Sequence, residues 1–252
     1  MKALAVVPAR LASTRLPRKL LLAESGKPLL QHVYERVRSA RRVARVVIAV
    51  DGEELLAAAR SFGAEAVLTR EDHPSGTDRV AEAARLVGGD EPLVLNVQGD
   101  EPEIDPAHLD RLVEAMASGE EPMGTLAERL TDPDDLARPQ VVKLVLDAGG
   151  RALLFSRAPI PHGAAPGGGD PAGPYRHLGV YAYRPDFLQR FCGLAPAPLE
   201  RCERLEQLRA LHYGHAVRVV VVSGGGARGI DTREDYDAFL ARLRAAEGPR
   251  AP

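Results

Sequence analysis

"VVPARLASTRLPRK", residues 6–19, ends an apolar run on a proline and then places Arg10, Arg15, Arg18 and Lys19 within ten positions. The run Ala3–Val7 reads as a buried strand, so the positive charge gathers where a first strand ends. Outward from there, apolar runs alternate with helical patterns. Pro28–Ala40 carries Leu29, Leu30, Val33 and Val37 at helical spacing, followed by a strand at Val43–Val50 and a helix at Glu53–Phe62. Ala66–Leu68 and Leu93–Val97 read as further strands, Thr77–Leu86 and Pro106–Met116 as the helices after them. This alternation implies right-handed crossovers and an α/β fold, with a mostly parallel sheet covered by helices on both faces.

The second half is less regular. Val141–Leu146, Ala152–Phe155, His177–Tyr183 and Val217–Val222 read as strands, and Pro198–Tyr213 and Thr232–Ala246 as helices. In the first of these helices Leu199, Cys202, Leu205 and Leu208 form the expected core stripe. The second opens with Thr232 and Asp235 in a near capping-box arrangement. "HGAAPGGGDPAGP", residues 162–174, has no periodicity and reads as a loop. No internal repeat or separating linker is present, so residues 1–252 are expected to form a single domain.

A chain of 252 residues can bury a proper core. Its formal net charge of −2 argues against general nucleic-acid binding, which needs a broad positive excess. No apolar stretch approaches transmembrane length, and "MKALAVVPAR" meets Pro8 and Arg10 too early for a signal peptide, so the cytoplasm is expected. Cys192 and Cys202 have no metal-ligand spacing and are expected to be small buried hydrophobes. Lysine occurs only at positions 2, 19, 27 and 143, which singles out Lys19 within the opening cluster.

Two glycine-rich signals compete for a phosphate. "GGGARG", residues 224–229, matches G-x-G-x-x-G, but no further strand follows it, so it reads as a turn delivering Asp231. The opening stretch is the stronger candidate, because ligands of open α/β sheets bind beyond the strands' carboxyl ends. Arg10, Arg15 and Lys19 offer charge-assisted contacts, and Ser13, Thr14 and loop N–H groups can cradle oxygens. The competing reading is a solvated basic loop. "VLNVQGDEPEID", residues 94–105, puts Asp100 just past another strand, at the same rim. A carboxylate beside a polyphosphate needs a cation between them, and hard oxygen ligands suit Mg²⁺, with Asp231 as a second carboxylate. Either aspartate alone could equally be a helix cap or turn residue.

The stretches "VVPARLASTRLPRKLL", "TREDHPSGTDRVAEA", "VLNVQGDEP", "LFSRAPIP", "YRHLGVYAYR", "PLERCERLEQLRAL" and "GIDTREDY" together resemble the 3-deoxy-manno-octulosonate cytidylyltransferase family. They arrive in family order, from Val6 to Tyr236. The resemblance implies a Rossmann-like nucleotidyltransferase sheet with a smaller insertion, about 140–215, carrying a sugar pocket and a dimer surface. It implies transfer of CMP from CTP to the acidic sugar Kdo, with release of pyrophosphate, for lipopolysaccharide biosynthesis in a cytoplasmic homodimer. By motif, Arg10, Ser13, Lys19, Arg70, Ser75 and Gly76 would contact CTP. Gln98, Arg157, His177, Tyr181, Glu206 and Gln207 would line the sugar pocket. Asp100 and Asp231 would hold Mg²⁺, making Arg10, Lys19, Asp100 and Asp231 the catalytic set.

The residue types suit that chemistry. Kdo carries a carboxylate, for which Arg157 is a natural bidentate partner, and hydroxyls for the amide, phenol and imidazole groups. In "LPRKLL", Arg18 stands where family members often have glycine. Two alternatives fit the same motifs: a cytidylyltransferase for another acidic sugar such as a nonulosonate, and a nucleotide sensor without catalysis.

Overall fold

The computed structural model describes residues 1–167, 173–224 and 229–247. In chain order the elements are β1 (Ala3–Ala9), α1 (Leu29–Arg38), β2 (Val43–Val50), α2 (Glu53–Ser61), β3 (Glu65–Leu68), α3 (Gly76–Val87), β4 (Val94–Asn96) and α4 (Pro106–Ser118). There follow β5 (Met123–Arg129), α5 (Pro133–Ala137), β6 (Lys143–Leu146), β7 (Ala152–Ser156), β8 (Tyr175–Tyr183), α6 (Pro185–Gly193), α7 (Pro198–Glu203), α8 (Leu208–His212), β9 (Val217–Val222) and α9 (Arg233–Glu247). A single 3₁₀ turn, Lys19–Leu21, closes the basic loop. The architecture is mixed α/β, with a mostly parallel sheet flanked by helices, as the alternation implies.

The chain divides into two compact units. The N-terminal unit comprises Leu4–Gly89, Asn96–Pro106 and Ala227–Pro252; the central unit comprises Met1–Ala3, Asp90–Leu95 and Ala107–Gly226. In the N-terminal unit the strand order is β3-β2-β1, and β3 runs parallel to β2 from Val47↔Glu65 to Val50↔Leu68. β1 is apolar on both faces because both are covered, which is why it reads as a continuous hydrophobic run. The Val97 N–H donates to the Val6 carbonyl, bringing residues 97–100 alongside the end of β1. There Gly99 is required: a Cβ would lie 2.9 Å from the Pro8 carbonyl oxygen. The final helix packs its Phe239 ring edge-on against His32 of α1, with centroids 5.2 Å apart.

In the central unit the order is β4-β8-β5-β9. β5 runs antiparallel to β8 and parallel to β9, while β6 pairs antiparallel with β7 and β8. β5 carries no clear strand pattern, because "MGTLAER" interrupts its apolar residues with glycine and threonine. The reason is packing. A Cβ on Gly124 would lie 2.5 Å from the Met116 sulfur of α4, so a larger residue at this strand position would have to displace the buried Met116 side chain.

The helix expected over Pro198–Tyr213 is in fact two, α7 and α8, broken at Arg204, which adopts φ 54°. The expected core stripe splits accordingly: Leu205 and Leu208 are buried, whereas Leu199 and Cys202 are exposed. Neither cysteine is buried, since Cys192 is half-buried. What α7 buries instead is Glu200, which accepts from Arg209 of α8 at 2.5 and 2.9 Å and from the Ala197 N–H at 2.8 Å. No helix among the described residues is long and apolar enough to cross a membrane.

Candidate active site

A cavity of about 400 Å³ opens in the N-terminal unit, beyond the carboxyl ends of its strands. The loop after β1 supplies Arg10, Ser13, Thr14, Arg15 and Lys19 to its wall; the residues leading into α3 supply His73, Ser75 and Gly76. The segment after β4 adds Gln98 and Asp100, and the turn before α9 adds Asp231. Residues far apart in sequence therefore meet because each follows an element ending at one rim.

The loop is anchored from below. The Leu11 N–H is shared between both oxygens of Asp51, at 3.1 Å each, where β2 ends. Ser75 caps α3: its hydroxyl oxygen accepts from the Asp78 N–H at 3.2 Å and the hydroxyl donates to the Asp78 carboxylate at 2.7 Å. The start of a twelve-residue helix thus joins the cavity wall, where the helix dipole favours an anion. Arg79, buried one turn further on, donates to the Thr69 hydroxyl at 2.6 Å and the Arg70 carbonyl at 3.1 Å. Burial pulls its guanidinium below the ordinary value, against the opposing pull of Asp51 and Glu82.

At the opposite wall Lys19 collects the carboxylates. Its ammonium donates to Asp100 Oδ2 at 2.6 Å, to the Ile230 carbonyl at 2.8 Å and to Asp231 Oδ1 at 3.0 Å, which uses all three hydrogens. The Ile230 N–H returns to the Asp100 carbonyl at 2.9 Å, so the two aspartates share a backbone link as well as a cation. Arg15 pairs with the other Asp231 oxygen at 2.8 Å. Asp231 is not the cap of α9. That role belongs to Thr232 and Asp235, whose reciprocal bonds at 2.9 and 3.2 Å complete the capping box seen in the sequence.

These two carboxylates are a fitting donor set for Mg²⁺. They are hard oxygens held around a point already occupied by positive charge, and Mg²⁺ commonly takes one or two carboxylates with phosphates and water completing its shell. Among the described residues no cluster of three or more His, Cys, Asp or Glu side chains could hold a metal without such help.

The sequence-derived CTP residues Arg10, Ser13, Lys19, Ser75 and Gly76 all line this cavity, and so does Gln98, expected at the sugar. Arg70 does not. Its guanidinium makes a two-point contact with Asp72, at 2.9 and 3.0 Å, and Arg79 reaches the cavity in its place. Asp51, His73 and Arg79 were missed in the sequence, although Asp51 obeys the same strand-end rule that singled out residues 10–19. The glycine-run residues 225–228 and loop residues 168–172 lie outside the described residues.

The remaining sugar candidates lie in the central unit. His177 and Tyr181 stand together on β8 with ring centroids 5.4 Å apart, and Phe155 of β7 meets the imidazole edge-on at 5.2 Å. His177 Nε2 lies 3.0 Å from the Thr125 hydroxyl of β5. Desolvation pushes the His177 pKa down to about 3, so the ring is neutral near pH 7. Arg157, at the end of β7, donates to three backbone carbonyls: Glu203 at 2.8 Å, Pro139 at 3.0 Å and Arg204 at 3.3 Å. Glu206 and Gln207 occupy the break between α7 and α8. Gln207 is buried, and its Nε2 has no hydrogen-bond partner.

A model of the cytidylyltransferase family matches residues 4–219. A 3-deoxy-manno-octulosonate cytidylyltransferase from Syntrophobacter fumaroxidans is 48% identical over 247 residues, covering 96% of this chain and 97% of that protein. One of the same description from an Anaeromyxobacter species is 49% identical, covering 97% of each. A solved structure described as CMP:2-keto-3-deoxy-manno-octonic acid synthetase complexed with CTP superposes with a TM-score of 0.89. It is 38% identical and is matched over 98% of this chain and 100% of its own.

Proposed function

We propose that this chain, which belongs to the 3-deoxy-manno-octulosonate cytidylyltransferase family, transfers CMP from CTP to Kdo and releases pyrophosphate. The observation that carries the reading is the convergence of Arg10, Lys19 and the start of α3 with Asp100 and Asp231 on one cavity. A non-catalytic sensor would need the cations but not the paired carboxylates.

In this reading the anomeric oxygen of Kdo forms a bond to the α-phosphorus of CTP while the bond to the β-phosphate bridging oxygen breaks. The proton of the sugar hydroxyl passes to solvent, and pyrophosphate leaves in line. Such a transfer needs positioning and charge neutralisation more than a protein nucleophile. Arg10, Ser13 and the N–H groups ahead of α3 hold the phosphates, and Lys19 and Arg10 stabilise the charge that builds on the leaving group. Asp100 and Asp231 would hold Mg²⁺, which when bound neutralises phosphate charge and makes the attacking hydroxyl more acidic. His177, neutral at the pH of the cell, serves as a hydrogen-bonding ligand of the sugar with Tyr181, Glu206 and Gln207. The two guanidinium hydrogens of Arg157 not engaged by carbonyls remain for the sugar carboxylate.

We further propose a cytoplasmic homodimer acting in lipopolysaccharide synthesis, with residues about 140–215 carrying the sugar-binding and dimer-forming surface. The exposed Leu153, Leu199 and Tyr213 within that segment support such a surface. The test is a pyrophosphate-release assay with CTP, Mg²⁺ and Kdo, each omitted in turn. Release that needs all three is expected; binding of CTP with no release on adding Kdo would overturn the reading.

A further inference from the structure

We infer that Glu203 is a positioning residue for the sugar site, acting by holding the break between α7 and α8 that presents Gln207. The inference rests on the proposed transfer to Kdo for its substrate readout, and on the central unit's own geometry for everything else.

Nothing local explains the break. Between Leu199 and Tyr213 the sequence holds no glycine or proline, and its apolar spacing suits one continuous helix. Arg204 nevertheless sits at φ 54° and ψ 48°, a left-handed conformation that costs an L-residue about 1–2 kcal/mol. In a continuous helix the carbonyls of Glu203 and Arg204 would accept from the N–H groups four residues on, at Gln207 and Leu208. Here Arg157 substitutes for both, with Nε on the Glu203 carbonyl at 2.8 Å and Nη2 on the Arg204 carbonyl at 3.3 Å. A guanidinium capping the last carbonyls of a helix removes the penalty of leaving them unpaired.

The Glu203 side chain completes the lock from the other direction. One carboxylate oxygen accepts from the Ser156 hydroxyl at 2.6 Å and the other from the Arg157 N–H at 2.8 Å. One residue thus grips Arg157 by its backbone and is gripped by Arg157's side chain. On the far side, fully buried Lys143 donates to the Arg157 carbonyl at 2.6 Å and the Arg138 carbonyl at 3.0 Å. What the break delivers is Gln207, 4% exposed with an unpartnered Nε2, at the position immediately before α8. A buried amide without a partner is costly unless a ligand satisfies it. Straightening 203–208 would rotate it elsewhere.

The test is Glu203→Ala in the full chain, read by steady-state kinetics and by hydrogen exchange. KM for Kdo is expected to rise at least tenfold, with kcat and KM for CTP within twofold of wild type. Amides of 204–208 should exchange at least tenfold faster, and those of the N-terminal unit at the wild-type rate. Glu203→Gln, which keeps an acceptor, should recover part of the affinity. Should Glu203→Ala fail to fold, Ser156→Ala removes one of the two carboxylate bonds and is expected to raise KM for Kdo about threefold. A wild-type KM for Kdo, or an equal rise for both substrates, would overturn the inference. If the wild-type protein releases no pyrophosphate with Kdo, the function reading fails, and exchange at 204–208 decides alone: unchanged rates overturn the lock, faster rates support it.

Discussion

The cradle of the N-terminal unit and the sugar candidates of the central unit solve opposite problems. In the cradle, charged groups sit at the ends of strands and on loops, half-exposed, and contribute little to the packing beneath them. Arg10 and Lys19 line a cavity whose floor is built by other residues. In the central unit the candidates are embedded in the structure that presents them. Arg157 closes a helix end, His177 packs between two rings, and Gln207 is a buried group at the break between two helices. The lesson is that substitutions in the first region should separate activity from stability, while those in the second should not.

The sharpest test of that contrast is Asp100→Asn. Removing one hard charged oxygen from the proposed metal site should lower turnover about a thousandfold, roughly 4 kcal/mol, with a melting temperature close to wild type. Near-normal turnover would return Asp100 to a turn residue; a large loss of stability would break the comparison. The counterpart in the central unit is Glu200→Gln. Glu200 and Arg209 form a bidentate pair, both buried, across the two short helices. Leaving one charge of such a pair uncompensated should cost about 3 kcal/mol of stability, seen as a lower denaturant midpoint. A midpoint within error of wild type would show that the break does not depend on this pair.

The two regions also differed in how far the sequence revealed them. Arg10, Lys19, Asp100 and Asp231 were legible because strand ends in an α/β alternation share one rim, so short motifs after different strands must meet. Arg70 stands apart from the cavity that Ser75 and Gly76 of the same stretch line: with Asp72 two residues on, its charge is paired locally, and the buried Arg79 is the one that lines it. In the central unit β5 escaped notice because Gly124 is set by the Met116 side chain of another element. The break at Arg204 escaped for a similar reason, since the group that closes it, Arg157, lies outside the helix it interrupts. Local pattern predicts what local forces decide.

Asp231→Asn sharpens the contrast within the cradle. Thr232 and Asp235 make the cap of α9, so the substitution should leave the melting temperature almost unchanged. Turnover should fall at least about a hundredfold, roughly 2.7 kcal/mol, with partial recovery at raised Mg²⁺. A stable, fully active variant would leave Asp100 alone with the metal.

His177 gives the central unit a pH signature. Its folded pKa, about 3, lies below the usual 6.5 of a free imidazole, so the unfolded chain binds the extra proton first. The stabilisation from burying a neutral ring is therefore complete above about pH 6.5 and is lost progressively as pH falls toward 3, by at most about 1.4 kcal/mol per pH unit. Replacing His177 with Gln should flatten the acid limb of stability measured by denaturant melts. By NMR the wild-type ring should show no titration between pH 5 and 8, and a midpoint near 6.5 would overturn the assignment.

The smallest expected effects compare the two regions at matching defects. Among the described residues only Arg18 and Arg204 are non-glycine residues with positive φ, at 56° and 54°, and one lies in each unit. The left-handed conformation costs an L-residue about 1–2 kcal/mol, and a glycine's greater freedom in the unfolded chain returns part of that on substitution. Arg204→Gly leaves the carbonyl that accepts from Arg157 in place and should stabilise the chain by about 0.5–1 kcal/mol. Arg18→Gly relieves the same strain but also removes an exposed ion pair with Glu54, worth roughly 0–1 kcal/mol, so its net gain should be smaller. Arg18 does not line the cavity, although its neighbour Lys19 does, and KM for CTP should stay within twofold of wild type. Paired denaturant melts decide the matter. A loss of stability in Arg204→Gly would mean that the arginine side chain holds the break as much as its backbone does. A large loss of CTP affinity in Arg18→Gly would mean that the turn before Lys19, and not only the charges it carries, shapes the cradle.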